Sequence, residues 1–135
     1  MNNKIKVFLV DDDAVFLKLS EIEFRQHPHF EVETYATGEA CIKNLWYNPD
    51  VIVLDYHLNG VDKNAMSGIE TLDEIKKVNA DTLVIMLSAQ GEMDVALDCM
   101  QHKAFDYVMK DKTVYTRLPQ IITTIFDFKN TDKKM

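Results

Sequence analysis

The chain has 135 residues, enough for one domain around one core, and its 47% apolar content is that of an ordinary globular protein. Its formal net charge of -7 argues against nucleic-acid binding by this domain, because a phosphate backbone attracts basic surfaces. No apolar run reaches membrane-spanning length, VFLV is too short for a signal-peptide core, and Cys41 and Cys99 lack metal-type spacing, so a reduced cytoplasmic setting is expected.

The first apolar run, IKVFLV, reads as a strand and leads straight into Asp11, Asp12 and Asp13. Val15, Leu19 and Ile22 follow at helical spacing, on one face of a first helix. An Asp at the N-cap accepts hydrogen bonds from free backbone N–H groups and favours the positive end of the helix dipole. One Asp suffices for that, whereas three adjacent carboxylates repel one another. A hard divalent cation, which takes oxygen ligands, relieves such repulsion. From this stretch alone, capping and metal binding stand level.

The remaining elements alternate. FEVETY is a second strand, and TGEACIKNLW a short helix with Cys41 and Leu45 inward. DVIVLD is a third strand, followed by the helix SGIETLDEIKK, whose apolar side is Ile69, Leu72 and Ile75. TLVIMLS forms the fourth strand, and MDVALDCM places Met93, Ala96, Leu97 and Met100 on one helix face. FDYVMK is the fifth strand, and LPQIITTIF aligns Leu118, Ile121, Ile122 and Ile125. One domain over residues 1–130 is expected, with 131–135 as a polar tail or the start of a linker. Such alternation implies a parallel sheet covered by helices on both faces. Right-handed crossovers then leave few topologies, and an α/β doubly wound five-stranded sheet is expected.

In open α/β sheets, ligands bind beyond the carboxyl ends of the strands. The residues there are Asp11 and Asp12 after the first strand, Asp55 at the end of the third, Ser88 at the end of the fourth and Lys110 after the fifth. Taken singly, Asp55 could open a turn, Ser88 could cap a helix and Lys110 could pair with any surface acid. Taken together, an acidic cation site beside an ammonium and a hydroxyl suits a phosphoryl group.

With these residues in place, the chain resembles the receiver domain of two-component response regulators along nearly its whole length. The matching pieces are FLVDDD, PDVIVLD, MSGIE, VIMLSA and FDYVMK, and their order and spacing are more specific than any one of them. The resemblance implies a flavodoxin-like sheet in the order 2-1-3-4-5 with helices on both faces. It also implies that Asp55 accepts a phosphoryl group from a sensor histidine kinase or a histidine phosphotransfer protein. It implies Mg²⁺ bound by Asp12 and Asp55, by Asp11 mostly through water, and by the His57 backbone carbonyl. Ser88 would be the switch hydroxyl, Lys110 the phosphate-binding lysine and Tyr107 the switch aromatic, while His57 and Gln90 would tune dephosphorylation. The output would pass to a downstream protein target, a linked output domain or a phosphorylation-dependent homodimer. Asp13 is left to cap the first helix.

Two features depart from the family pattern. The segment LDYHLNGVDKNAMSG carries Asn59 where a proline is usual, and Gly68 arrives about five residues late. The loop is therefore expected to be longer and more mobile than usual, as a tolerated surface insertion. Lys110 is followed by Asp111 rather than proline, so a trans bond is expected there, with a different path into the last helix.

Other readings are a Mg²⁺-dependent phosphatase with an aspartate nucleophile and a receiver-like interaction module that is never phosphorylated. The phosphatase would want a second acid two residues after the nucleophile, where His57 stands. The complete set of Asp11, Asp12, Asp55, Ser88 and Lys110 speaks against the silent module. A flavin carrier is weaker still, because no Ser/Thr/Gly-rich phosphate loop follows the first strand.

Overall fold

The computed structural model describes residues 4–89 and 93–134. In chain order the elements are β1 (Ile5–Val10), α1 (Ala14–Arg25), β2 (Phe30–Tyr35), α2 (Gly38–Lys43), a 3₁₀ turn (Leu45–Tyr47), β3 (Val51–Asp55), α3 (Gly68–Val78), β4 (Leu83–Ser88), α4 (Met93–Gln101), β5 (Asp106–Met109) and α5 (Val114–Lys134). The strands pair in parallel in the order β2-β1-β3-β4-β5, so this is the doubly wound α/β sheet that the alternating pattern predicts.

Side chains alternate across a strand, and that alternation divides the core in two. Val7, Leu9, Val51, Val53, Ile85 and Leu87 face α1 and α5, meeting Phe16, Phe24, Leu118 and Ile122. Phe8, Val10, Ile52, Leu54, Val84 and Met86 face the other way, onto Cys41, Leu72, Ile75 and Cys99. Every residue of β3 is buried, as its central place in the sheet requires. Burying one such side chain fully is worth about 1.5–3 kcal/mol, so these two layers hold the strand ends in register.

Two helices differ from the sequence expectation. On α1 the buried residues are Phe16, Ser20 and Phe24, whereas Val15, Leu19 and Ile22 face solvent. Both sides of this helix are apolar, and the two phenylalanines offer more surface to bury, so their side wins. On α4 the buried residue is Cys99, with Val95 packed against the core, while Met93, Leu97 and Met100 are exposed. The regular apolar stripe is again the outer one. The inward stripes of α3 and α5 stand as read, with Leu72, Ile75, Leu118 and Ile122 buried.

The last helix continues to Lys134, through most of the segment read as a tail. Among the described residues no helix is long and apolar enough to cross a membrane.

Candidate functional site

Three turns of chain meet at the carboxyl ends of β1, β3 and β5. At the first, the backbone N–H of Asp13 donates to Asp11 Oδ1 at 2.9 Å, turning Asp11 inward. Asp13 itself accepts from the N–H groups of Val15 and Phe16, both at 3.1 Å, and so caps α1. The register of the triple acid is therefore settled by local hydrogen bonding: Asp11 points in and Asp13 serves the helix. Asp12, half-buried, lies between them.

At the second turn, Asp55 is only 5% exposed. The chain beyond it folds back so closely that α3 starts against the strand end. A Cβ on Gly68 would collide with the backbone of Asp55 and Tyr56, so the helix can begin here only with glycine. Ser67 and Glu70 close a capping box around that start. Leu58 anchors the intervening loop by burying its side chain.

At the third turn, Lys110 reaches back across the pocket. Its Nζ lies 2.7 Å from Asp11 Oδ2 and 3.6 Å from Asp55 Oδ1. It also sits 4.3 Å above the centre of the Phe16 ring, which supports the ammonium from below. The lysine backbone is fixed by its N–H donating to the Ser88 carbonyl at 2.8 Å. After it, Asp111 Oδ1 accepts from Thr113 and from Arg117, and Arg117 also donates to the Met109 carbonyl. This side-chain clasp holds the turn where the family pattern has proline, and no peptide bond among the described residues is cis.

One oxygen from each of Asp11, Asp12 and Asp55 lies within 4.8 Å of the others. An octahedral Mg²⁺ with ligands near 2.1 Å sets neighbouring oxygens about 3 Å apart and opposite ones about 4 Å apart. The three oxygens stand near enough to that spacing for the donor set to suit a hard divalent cation. Ser88, 1% exposed, ends β4 beside this group, and Tyr107, half-buried, packs on the α3–α4 side of the core. The His57 side chain is exposed and meets the Tyr56 ring edge to face, with centroids 4.8 Å apart. Gln90 lies outside the described residues.

Charge confined in so little space alters the acids. Burial, then the neighbouring Asp11 carboxylate, pushes the Asp55 carboxyl up to about 7. Burial also raises Asp11, although Lys110 opposes the shift. Burial would lower the Lys110 ammonium, but its close pairing with Asp11 and the charge of Asp55 leave it raised. The pocket thus holds more negative charge than one lysine can balance.

Two contributors were not legible in the sequence. Phe16 reads as an ordinary core aromatic, and only its position one turn past the acids hints at a second role. The loop after β3 also reaches the pocket: Gly60 and Val61 donate their backbone N–H groups to Asp12 Oδ2, both at 3.1 Å. The insertion expected to be a loose surface loop is thus fastened to one of the acids.

Fold and site together define a doubly wound α/β protein whose acid–lysine pocket caps the carboxyl end of a parallel sheet. The sequence pattern of the response regulator receiver domain matches residues 7–122, and the chain belongs to that family of two-component signalling proteins. The chemotaxis protein CheY of Bacillus subtilis is 31% identical over 104 residues, spanning 76% of this chain and 82% of that protein. A protein-glutamate methylesterase/protein-glutamine glutaminase of Clostridium acetobutylicum is 32% identical over 111 residues, 79% of this chain but 31% of that protein. Among solved structures, the signal receiver domain of a LuxO repressor protein from Vibrio parahaemolyticus superposes with a TM-score of 0.80 at 25% identity, covering 96% of this chain and 95% of that one. Receiver domains are phosphoacceptor switches, so the family supplies the general role.

Proposed function

We propose that Asp55 of this chain takes a phosphoryl group from a phosphohistidine on a sensor kinase or phosphotransfer protein, with Mg²⁺ as the ion held by Asp11, Asp12, Asp55 and the His57 carbonyl. The observation that carries this reading is the convergence of three carboxylates within 4.8 Å on a lysine 3.6 Å from the Asp55 oxygen. The bound ion would neutralise the carboxylates and the phosphoryl oxygens during transfer.

In the transfer, a carboxylate oxygen of Asp55 attacks phosphorus as the P–N bond to the donor imidazole breaks, and the electron pair leaves with the imidazole. The ionised carboxylate is the nucleophile, so neutralising the pocket also favours the reactive form of Asp55. Lys110 is poised to follow the new charge, because its ammonium already lies between Asp11 and Asp55. Ser88 supplies the second contact to the phosphoryl oxygens, and Tyr107 is the switch aromatic beside them.

The energies suit a poised switch. An ion pair near a surface at about 4 Å is worth about 4 kcal/mol before desolvation. A hydrogen bond to a charged group adds roughly 1.5–3 kcal/mol. Moving an equilibrium from 1:99 to 99:1 takes about 5.5 kcal/mol, which leaves little surplus, so a target that prefers the active state would complete the change. In this reading His57 and Gln90, two positions beyond Asp55 and Ser88 in the chain, tune dephosphorylation. The output goes to a downstream protein or to a linked domain.

The test is acetyl phosphate with Mg²⁺. The protein gains one acid-stable, base-labile acyl phosphate, and Asp55→Asn abolishes it. Equal labelling of that variant would refute Asp55. In a phosphorylated Lys110→Ala protein, the spectroscopic response at Tyr107 is lost. A full response there would refute the coupling.

A further inference from the structure

The loop between β3 and α3 is tied down at both ends by carboxylates. At its start, Gly60 and Val61 donate to Asp12 Oδ2; at its end, the Met66 N–H donates to Glu39 Oε2 at 3.0 Å. Between them, Asp62 turns the chain by accepting from Asn64 and Ala65. The Val61 side chain is 79% exposed, so burial does not explain its position. What this stretch presents to the pocket is backbone: two N–H groups converging on a single carboxylate oxygen.

Asp12 is the least buried of the three acids, since Asp11 and Asp55 are held in the interior. A half-buried carboxylate is freer to rotate than its buried neighbours, and its rotation would blur a site that needs one oxygen of defined position. Ligating carboxylates are commonly held by hydrogen bonds to their non-ligating oxygen, and loss of such a bond typically costs 10–100-fold in metal affinity. We propose that the Gly60 and Val61 backbone N–H groups form an outer brace on Asp12, holding Oδ2 so that the other oxygen serves the cation. The inserted loop is then a positioning element of the ion site. The inference rests on the metal reading of the preceding section and goes beyond it, because these residues contribute no ligand themselves.

A proline has no N–H, so Val61→Pro removes one of the two donors at an exposed position. Lys63→Pro places the same ring in the same loop away from Asp12 and reports on stiffening alone. Mg²⁺ titrated calorimetrically into the unphosphorylated protein should bind Val61→Pro at least ten-fold more weakly than wild type, with Lys63→Pro close to wild type. Equal weakening in both variants, or binding to Val61→Pro as tight as or tighter than wild type, overturns the brace. Should Val61→Pro fail to fold, hydrogen exchange in the wild type decides. The Gly60 and Val61 amides should keep or gain protection when Mg²⁺ is added, and loss of protection would mean that the loop competes with the ion. Wild type that binds no Mg²⁺ overturns the metal reading and the brace with it. Wild type that binds Mg²⁺ while these amides open overturns the brace alone.

Discussion

The strands of this protein carry two interiors of opposite character. Along their length they bury Val, Ile, Leu and Phe against helices on both sides. At and just beyond the carboxyl ends of those strands, the chain buries Asp11, Asp55 and Ser88 and half-buries Lys110. The first interior stabilises the fold by removing apolar surface from water. The second costs stability, because desolvating charge is repaid only in part by pairing. The contrast separates what holds the molecule from what the molecule holds: apolar layers fix the strand ends, and the strand ends keep like charges closer together than they would stand in water.

The largest test of that contrast lies in the apolar half. Phe24→Ala, in a fully buried position facing Phe30, should lower unfolding free energy by about 3–5 kcal/mol in chemical denaturation. A loss below about 1 kcal/mol would show that the α1 side of the core is not what holds the strand ends.

The charged half should respond in the opposite direction. The Asp55 carboxyl titrates at about 7 when folded, against an ordinary value of 3.8. Between these values the folded protein retains a proton that the unfolded chain has released. Metal-free stability should therefore fall as pH rises from about 4 to 7 and level off above that, with Asp11, also raised, adding in the same direction. Asp55→Asn should be more stable than wild type at pH 8 by roughly 2–4 kcal/mol and nearly equal to it at pH 4. Added Mg²⁺ should narrow the gap by stabilising the wild type. A destabilised Asp55→Asn at pH 8 would mean that the pocket is not under charge strain.

Smaller effects sharpen the boundary between the two interiors. Asp13→Ala removes a cap without touching the buried acids and should cost about 0.5–2 kcal/mol. If the loss vanished on adding Mg²⁺, Asp13 would belong to the ion site instead. Leu19→Ser, at a position 45% exposed, should change stability by about 0.5 kcal/mol or less. A core-sized loss there would mean that α1 packs by its other face.

Element order and the residues at the strand ends were legible in the sequence, because both rest on short-range rules. Strand period, helix period and turn chemistry act within a few residues, and a parallel alternation leaves few ways to assemble them. For the same reason Asp13 could be assigned to the cap: an N-cap bonds to N–H groups two and three residues ahead. Periodicity was a weaker guide where both faces of a helix were apolar. On α1 and α4 the regular stripes Val15–Leu19–Ile22 and Met93–Leu97–Met100 lie outside, because packing selects the face by fit to the sheet. The loop after Asp55 shows the limit most clearly. Its composition marks an insertion, yet the two N–H groups that meet Asp12 belong to the backbone, which every residue but proline shares. No side-chain pattern encodes that contact. It exists because β1 and β3 are neighbours in the folded sheet, which brings residues 48 and 49 positions apart in the chain onto one oxygen.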